Sequence, residues 1–458
     1  VTDTMATVLD LLRARLGDAV STDAAELDAA RADKSGHAAP DRPLAVVNAR
    51  EIDDIVATMR IATQTRTPVV TRGAGTGLAG GAVAGAGELV LSTARMTALV
   101  ELNVDDEYAV VEPGIINGDL NALLAPHGLW FAPDPASRAI STVGGNIATN
   151  AGGLLCAKYG VTRDAVLGLT VVLADGRVLD LGRRTVKGVA GLDLTALLVG
   201  SEGTLGVIAR ATVRLRPLPR GGIATIAAYF PDVERAARAA SVISASGLVP
   251  AIMEVLDARS VAVIAAYLGQ PAREAAFLLV HHDGPGAAAD ADDSLAVIRS
   301  LGGEAELTTD PDESEGLFRV RRSFHGAMER RGRVLIEDVC VPRSALPEMF
   351  ARIADIERRF GLEIPTIAHA GDGNLHPNFV FTPDPLDPDG VPEHVWRAAD
   401  EMFVAALALG GTLTGEHGVG LLKKRWIGDE LGDDQQQLQR GIKALFDPLG
   451  ILNPGKAY

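Results

Sequence analysis

The sequence predicts an α+β protein of two or three domains. Three observations carry that prediction. Helix-like and strand-like periodicities alternate along the chain, glycine-rich loops gather in its first half, and a Pro- and Arg-rich stretch at 214–220 closes that half. A chain of 458 residues is long enough for each part to bury a core of its own.

Residues 6–32 and 52–65 (IDDIVATMRIATQT) carry helical periodicity. TPVVTRG reads as a buried strand running into the glycine loop RGAGTGLAGGAV. ELVLST and YAVVEPG follow as strands, and NGDLNALLAPHG as a short helix. The loop FAPDPASRAISTVGGNIATNAGG leads into the strands of LGLTVVLADGRVLD, joined by a DG turn, and then VGSEGTLGVIARATVRLRPLP. Beyond a boundary near 219, strand-like IATIAAYF precedes the helix DVERAARAASVISAS, strand-like AIMEVLD and then AREAAFLLVHHDG. A helix over 288–300, an acidic linker TTDPDESEG and a basic helix LFRVRRSFHGAMERRG come next. RVLIEDVCVP reads as a strand, SALPEMFARIADIERRFG as a helix, and TIAHAGDGNLHPNFVF as strand, turn and strand. FTPDPLDPDGVPEH is expected to be a surface excursion, 393–409 a helix and LTGEHGVG a glycine-bounded loop.

Composition narrows the function classes. Aromatic residues are only 4% and the net charge is −16, so neither base stacking nor phosphate neutralisation is served and no nucleic-acid partner is expected. Two cysteines, Cys156 and Cys340, are too few for a disulfide scaffold and fit a reducing compartment. The first residues, VTDTMATVLDLLRARLGDAV, lack the basic start and apolar core of a secretory leader. No apolar run reaches the roughly 18 residues of a membrane helix. The expectation is a cytoplasmic protein, with peripheral membrane contact left open and the oligomeric state unread.

Gly75, Gly77 and Gly80 satisfy G-x-G-x-x-G after a strand. A dinucleotide-binding Rossmann unit would need a helix at once, yet the continuation GAVAGAGELVLST is too rich in glycine for one. The glycines serve something else. GAGTGLAGG, STVGGNIATNAGG and GSEGTLG offer small residues whose backbone N–H groups can form anion-binding nests and approach a flat ligand closely. One elongated, phosphate-bearing cofactor accounts for all three.

RGAGTGLAGGA, DPASRAISTVGGNIATNAGG, YGVTRDAVLGL and GSEGTLGV together resemble the flavin-binding domain of the vanillyl-alcohol oxidase / p-cresol methylhydroxylase flavoproteins over most of 40–218. The resemblance implies FAD, its pyrophosphate on Arg72, Gly73, Ala74, Gly75, Thr76 and Gly77. Pro135, Ala136, Ser137, Thr142, Gly145, Asn146 and Asn150 would line the rest, with Glu202 and Ile208 near the adenosine end. Some relatives tether the flavin through a histidine in the first loop. This loop has none, so non-covalent FAD is expected.

HAGDGNLHPN, residues 369–378, holds two histidines around a Gly-Asp-Gly-Asn turn. The turn would put His369 at the end of one strand and His376 near the start of the next, facing one point. Glu416 and His417, between Gly415 and Gly418, form a compact acid–histidine group in this half. Two histidines and a glutamate make a three-ligand set with an open position, suited to Zn²⁺ and open also to Mn²⁺ or Fe²⁺. His417 would be left to act as a base.

AHAGDGNLHPN, GEHGVGLLKKR and LFDPLGILNPGK resemble the C-terminal domain of FAD-linked 2-hydroxy-acid dehydrogenases. That group includes cytochrome-linked D-lactate dehydrogenases, the glycolate oxidase flavin subunit and D-2-hydroxyglutarate dehydrogenase. The resemblance implies an FAD domain over 1–218, a substrate and metal domain with a ferredoxin-like sheet over 219–420, and a segment 421–458 returning to the FAD domain. It implies His369, His376 and Glu416 as metal ligands and His417 as general base. Arg321, His325 and Asn378 would contact substrate, and Asn453 would lie near the flavin. The reaction implied is oxidation of a 2-hydroxy acid by hydride transfer to flavin, with electrons passing on to a quinone, a cytochrome or an electron-transfer flavoprotein.

Two departures bear on the substrate. Relatives that hold a second carboxylate carry a lysine where this chain has Ile336, and His325 replaces a threonine four residues after Arg321. Both favour D-lactate or a similar monocarboxylate over 2-hydroxyglutarate. Two other classes compete: a non-haem iron oxygenase using the same histidines, and a flavin-binding subunit without catalysis of its own. The first leaves the glycine loops unexplained, and the second leaves the intact Glu416–His417 pair unexplained.

Overall fold

IDDIVATMRIATQT folds as the helix Ile52–Thr65 and hands the chain, through a left-handed Arg66, to the buried strand Val69–Arg72. The computed structural model describes residues 2–383 and 390–457, so the middle of the expected excursion at 381–394 lies outside the described residues. The chain divides into two units. The first comprises Val1–Gly152, Gly160–Leu218 and Glu416–Tyr458, and the second Gly153–Tyr159 and Pro219–Gly415. Two details differ from the expected boundaries: Gly153–Tyr159 joins the second unit, and the returning segment starts at Glu416, not at 421.

The first unit holds two main sheets. In one, the strands Ala45–Asn48, Leu89–Ser92 and Val69–Arg72 lie parallel, with Val20–Ser21 antiparallel at the edge. The other is antiparallel, in the order Leu99–Asn103, Tyr108–Val111, Val207–Arg214, Val166–Val172, Val178–Gly182. Helix Ile52–Thr65 packs Ile55, Met59 and Ala62 against residues of both sheets, among them Leu89, Leu91, Val172 and Val207. Apolar residues at helical spacing on one side, and strands apolar on both sides, are what that layering requires. The helical pattern over 6–32 is broken in the middle: Gly17 takes a positive φ, and Asp23 caps a new helix Ala24–Ala30.

The second unit is built on a sheet in the order Glu304–Thr308, Gly222–Phe230, Ala276–Gly284, Ile252–Leu256, Thr366–His369, Asn374–Phe381, Arg333–Ile336. Every pairing in it is antiparallel. One face meets the helices Ala258–Leu268 and Pro311–Glu329 through Leu256, Phe277, Leu279, Ile367, Ile264, Phe324 and Met328. The other face meets the helices Val233–Ala245 and Ala287–Ser300. The acidic linker TTDPDESEG is a correction. Its Asp310 caps Asp312 and Glu313 N–H groups, Pro311 opens the helix, and Asp312 and Glu313 fill the first turn. Acids there satisfy free N–H groups and suit the positive end of the helix dipole. The residues that read as a linker are therefore the start of the helix that carries Arg321.

Asp257 caps the helix Ala258–Leu268 and also accepts the Thr366 N–H (2.9 Å), fixing the strand that leads to His369. Burial pushes its pKa up to about 6, against the pull of these hydrogen bonds. A carboxyl whose pKa is higher folded than unfolded gives the folded chain more protons, so its contribution to stability falls as pH rises through that window. Asp257→Asn removes the titration. Its stability relative to the parent chain should therefore rise by about 2 kcal/mol between pH 4 and pH 6. Urea melts at those two pH values would measure the difference; a constant difference would refute the assignment.

Candidate active site

In the first unit the strand Val69–Arg72 runs into the glycine loop. A Cβ on Gly73 would overlap the Thr142 hydroxyl, so only glycine allows this approach. Gly75 sits at φ 67° under the Arg72 guanidinium, which braces the loop by donating to the carbonyls of Ala82 (2.8 Å) and Ala29 (3.1 Å). Thr142 caps the helix Val143–Thr149 through the Gly145 N–H. Asn146 donates to Ser141 and accepts from Asn117, which also holds the Pro133 carbonyl, so the turn Pro135–Ser137 is tied to the same helix. Asn150 ends that helix in a left-handed conformation. Ile208 is a buried core residue in the same hydrophobic cluster as Ile147.

Asn453 donates to the carbonyls of Gly81 (3.0 Å) and Glu202 (2.7 Å). Glu202 carries a duty that the sequence did not suggest. Its two oxygens accept the N–H groups of Val419 (2.7 Å) and Gly420 (2.8 Å), holding the loop just after His417. Burial raises its pKa against those bonds.

These residues fit a flavin nucleotide. Among the described residues, no N–H group of 73–77 donates to another protein group. Thr71 Oγ1 and Asn453 Oδ1, both buried beside the loop, have no hydrogen-bond partner. Unsatisfied buried polar atoms and a free N–H nest together call for a polar ligand.

In the second unit the histidines meet because of strand register. His376 pairs with Ile367 and His369 with Asn374 across one antiparallel ladder. The histidines are diagonal neighbours and share a face. Their rings lie 5.0 Å apart, edge to face. The turn between them is tight: Asp372 and Gly373 donate N–H groups back to the His369 carbonyl, and Gly373 has φ 95°.

Glu254, which the sequence reading missed, organises this face. It stands opposite His369 on the next strand and is fully buried. Its Oε1 lies 2.6 Å from His369 Nδ1, and its Oε2 is 2.5 Å from Arg321 Nε. An ionised carboxylate only accepts, so His369 must donate from Nδ1, and Nε2 keeps the lone pair a cation needs. Burial alone would raise the Glu254 pKa, but Arg321 and His369 outweigh it and hold it below the ordinary value. The signal was visible: AIMEVLD places an acid in the middle of a strand whose every residue is buried.

Asn378 donates to the His376 carbonyl (2.8 Å), and Ile336 is its ladder partner. His325 is not drawn into this group; its side chain is 53% exposed and lies 3.4 Å from Glu329. Asp338, fully buried, accepts from the Thr414 hydroxyl (2.5 Å) and the Gly415 N–H (3.1 Å). That fixes the chain immediately before Glu416. Gly152 leaves room for the Glu416 side chain, since a Cβ there would come 2.5 Å from Oε2. With the Glu254 carboxylate behind His369, the two facing imidazoles fit a divalent cation.

Comparison with known proteins agrees with the two-part reading. A family described as "FAD binding domain" matches residues 43–182, and one described as "FAD linked oxidases, C-terminal domain" matches 222–457. The chain is 41% identical to the glycolate oxidase subunit GlcD of Bacillus subtilis, over 91% of this chain and 89% of that one. It is 36% identical to a D-lactate dehydrogenase of Archaeoglobus fulgidus, over 90% of each. The solved structure of p-cresol methylhydroxylase with substrate bound aligns with a TM-score of 0.80 at 17% identity, covering 100% of this chain and 97% of that one. That likeness shows the fold, the flavin-binding fold of the vanillyl-alcohol oxidase / p-cresol methylhydroxylase group. No helix among the described residues is long and apolar enough to cross a membrane.

Proposed function

The chain belongs to the FAD-linked oxidases, and from that premise we propose that it oxidises a small D-2-hydroxy monocarboxylate, D-lactate or a close analogue, to the 2-oxo acid. The reading includes non-covalent FAD on the glycine loops and a divalent cation on His369, His376 and Glu416. The observation that carries it is the Glu254–His369 hydrogen bond beside His376, which orients one imidazole for a cation. When bound, FAD accepts the substrate's C2 hydrogen as hydride, and a divalent ion makes a bound hydroxyl more acidic.

The protein's own residues do the rest. Arg321, held at Nε by Glu254, has its terminal nitrogens left to grip the substrate carboxylate. Asn378 fixes the orientation of the neighbouring group by its own bond to the His376 carbonyl. His417 accepts the hydroxyl proton as the C2 hydrogen departs. Holding C2 against the flavin is a positioning task shared by these contacts. Ile336, opposite Asn378 in the ladder, is apolar and supplies no cation for a second carboxylate, which favours a short side group. Glycolate competes with D-lactate on the strength of the relative named glycolate oxidase subunit. The electron acceptor is a quinone, a cytochrome or an electron-transfer flavoprotein.

The test is an anaerobic visible spectrum before and after each candidate substrate. Bleaching of the flavin by D-lactate or glycolate, but not by L-lactate or D-2-hydroxyglutarate, is the expected result. Bleaching by D-2-hydroxyglutarate alone would overturn the monocarboxylate reading. Treatment with a chelator should abolish bleaching while FAD stays bound; bleaching that survives complete metal removal would sink the cation site.

A further inference from the structure

Four buried polar atoms around the glycine loop have no hydrogen-bond partner: Asp33 Oδ2, Thr71 Oγ1, Asn453 Oδ1 and Lys456 Nζ. Thr71 lies on the strand that enters the loop. Asp33 Oδ2 is 3.6 Å from where a Cβ on Gly77 would stand. Asn453 bonds the Gly81 carbonyl through its other side-chain atom. Lys456 follows on the same tail, whose Ala457 N–H donates to Gly420, and the adjacent Leu421 N–H donates to Ala79 at the loop's far end.

Lys456 is the most demanding of the four. Its side chain is only 4% exposed, and its ammonium has three donors and no acceptor. Lysine is rarely buried without a partner, because burying an unpaired charge is costly. The charges facing it are the carboxylates of Glu88 and Asp33, and neither bonds it. Asp33 keeps an oxygen of its own unsatisfied. Acid and ammonium stand close enough to feel each other, yet neither bonds the other, and between them they suit a ligand with both hydroxyls and negative charge. A simple inorganic anion would have no use for the carboxylate of Asp33 or the carbonyl oxygen of Asn453. A nucleotide has hydroxyls for them and an anionic group for the lysine.

We propose that Lys456 is a ligand of the flavin nucleotide, its ammonium pairing with an anionic group of FAD while Asp33 accepts a hydroxyl. FAD offers two such groups, the pyrophosphate and the N1 edge of the reduced ring. The inference uses only the FAD of this family and does not depend on which hydroxy acid is oxidised.

The experiment compares the full-length chain with Lys456→Met, titrating FAD into each apoprotein and measuring melting of apo and loaded forms. Loss of one charge-assisted bond should weaken FAD by about 10- to 100-fold. The apoprotein of Lys456→Met should melt at the same temperature or higher, because the variant removes an unpaired buried charge. Lys456→Arg should keep most of the affinity. Weakened FAD with an unchanged flavin midpoint potential assigns the lysine to the pyrophosphate. Unchanged affinity with a more negative midpoint potential assigns it to the N1 edge. FAD affinity and potential both equal to the parent would overturn the proposal, and so would an apoprotein that melts lower, since that marks a structural lysine.

Discussion

Glu254→Gln is expected to weaken binding of the proposed divalent cation by about 10- to 100-fold and to destabilise the second unit by about 3–5 kcal/mol. The two effects have separate causes. The carboxylate takes the His369 Nδ1 proton on one oxygen and the Arg321 guanidinium on the other, with no exposure of its own. A glutamine keeps the volume but loses the charge. His369 is then free to change tautomer or turn its ring, and the ligand nitrogen is no longer guaranteed. Arg321, itself 8% exposed, becomes a buried cation without a counter-charge. The double variant Glu254→Gln/Arg321→Met separates the causes. It should recover most of the stability, because no cation is left stranded, and recover none of the metal affinity. Metal content by atomic absorption and urea melts of the three variants measure both. Full metal occupancy in Glu254→Gln would show that the buried carboxylate is there for Arg321 alone.

How far the site was legible follows from what each element depends on. The histidine pair was readable because its chemistry is local: Gly-Asp-Gly-Asn permits only a turn, and a turn between two strands puts His369 and His376 on one face. The glycine loops were readable for the same reason, down to the rejection of a helix after Gly80. Glu254 was not readable in its role. It lies far from His369 in the chain, and only the pairing of Ile252–Leu256 with Thr366–His369 brings them together. A single sequence contains no statement of strand order. Even so, an acid inside an apolar strand was a warning left unused. His325 was placed only by its position four residues after Arg321, and its exposed side chain lies beside Glu329, a surrounding that position in the chain does not specify. The start of the helix that carries Arg321 was hidden because Asp, Pro and Glu read as loop composition, although in that order they are also an N-terminal cap. Lys456 and Asp33 could not be found from sequence at all. Their signal is a missing partner, which exists only once the chain is folded.

His417→Ala should lower the rate of flavin reduction by D-lactate by about 10²- to 10⁴-fold, the range expected when a positioned base is removed. FAD content should not change, because Glu202 holds the following loop through backbone N–H groups of Val419 and Gly420, which the substitution leaves intact. The cation should also stay, because its proposed ligands are untouched and the Gly415 N–H is fixed by Asp338. What disappears is the acceptor for the hydroxyl proton, so the loss should fall on kcat with little change in KM. The variant should lose the acid limb of the pH–rate profile that a titrating base imposes, and added imidazole should restore part of the rate. Parent-like reduction rates would remove His417 from the chemistry and leave the cation-bound hydroxyl to give its proton to solvent. A rate loss accompanied by loss of metal would instead make His417 part of the cation's support, and the base would have to be sought elsewhere on the loop.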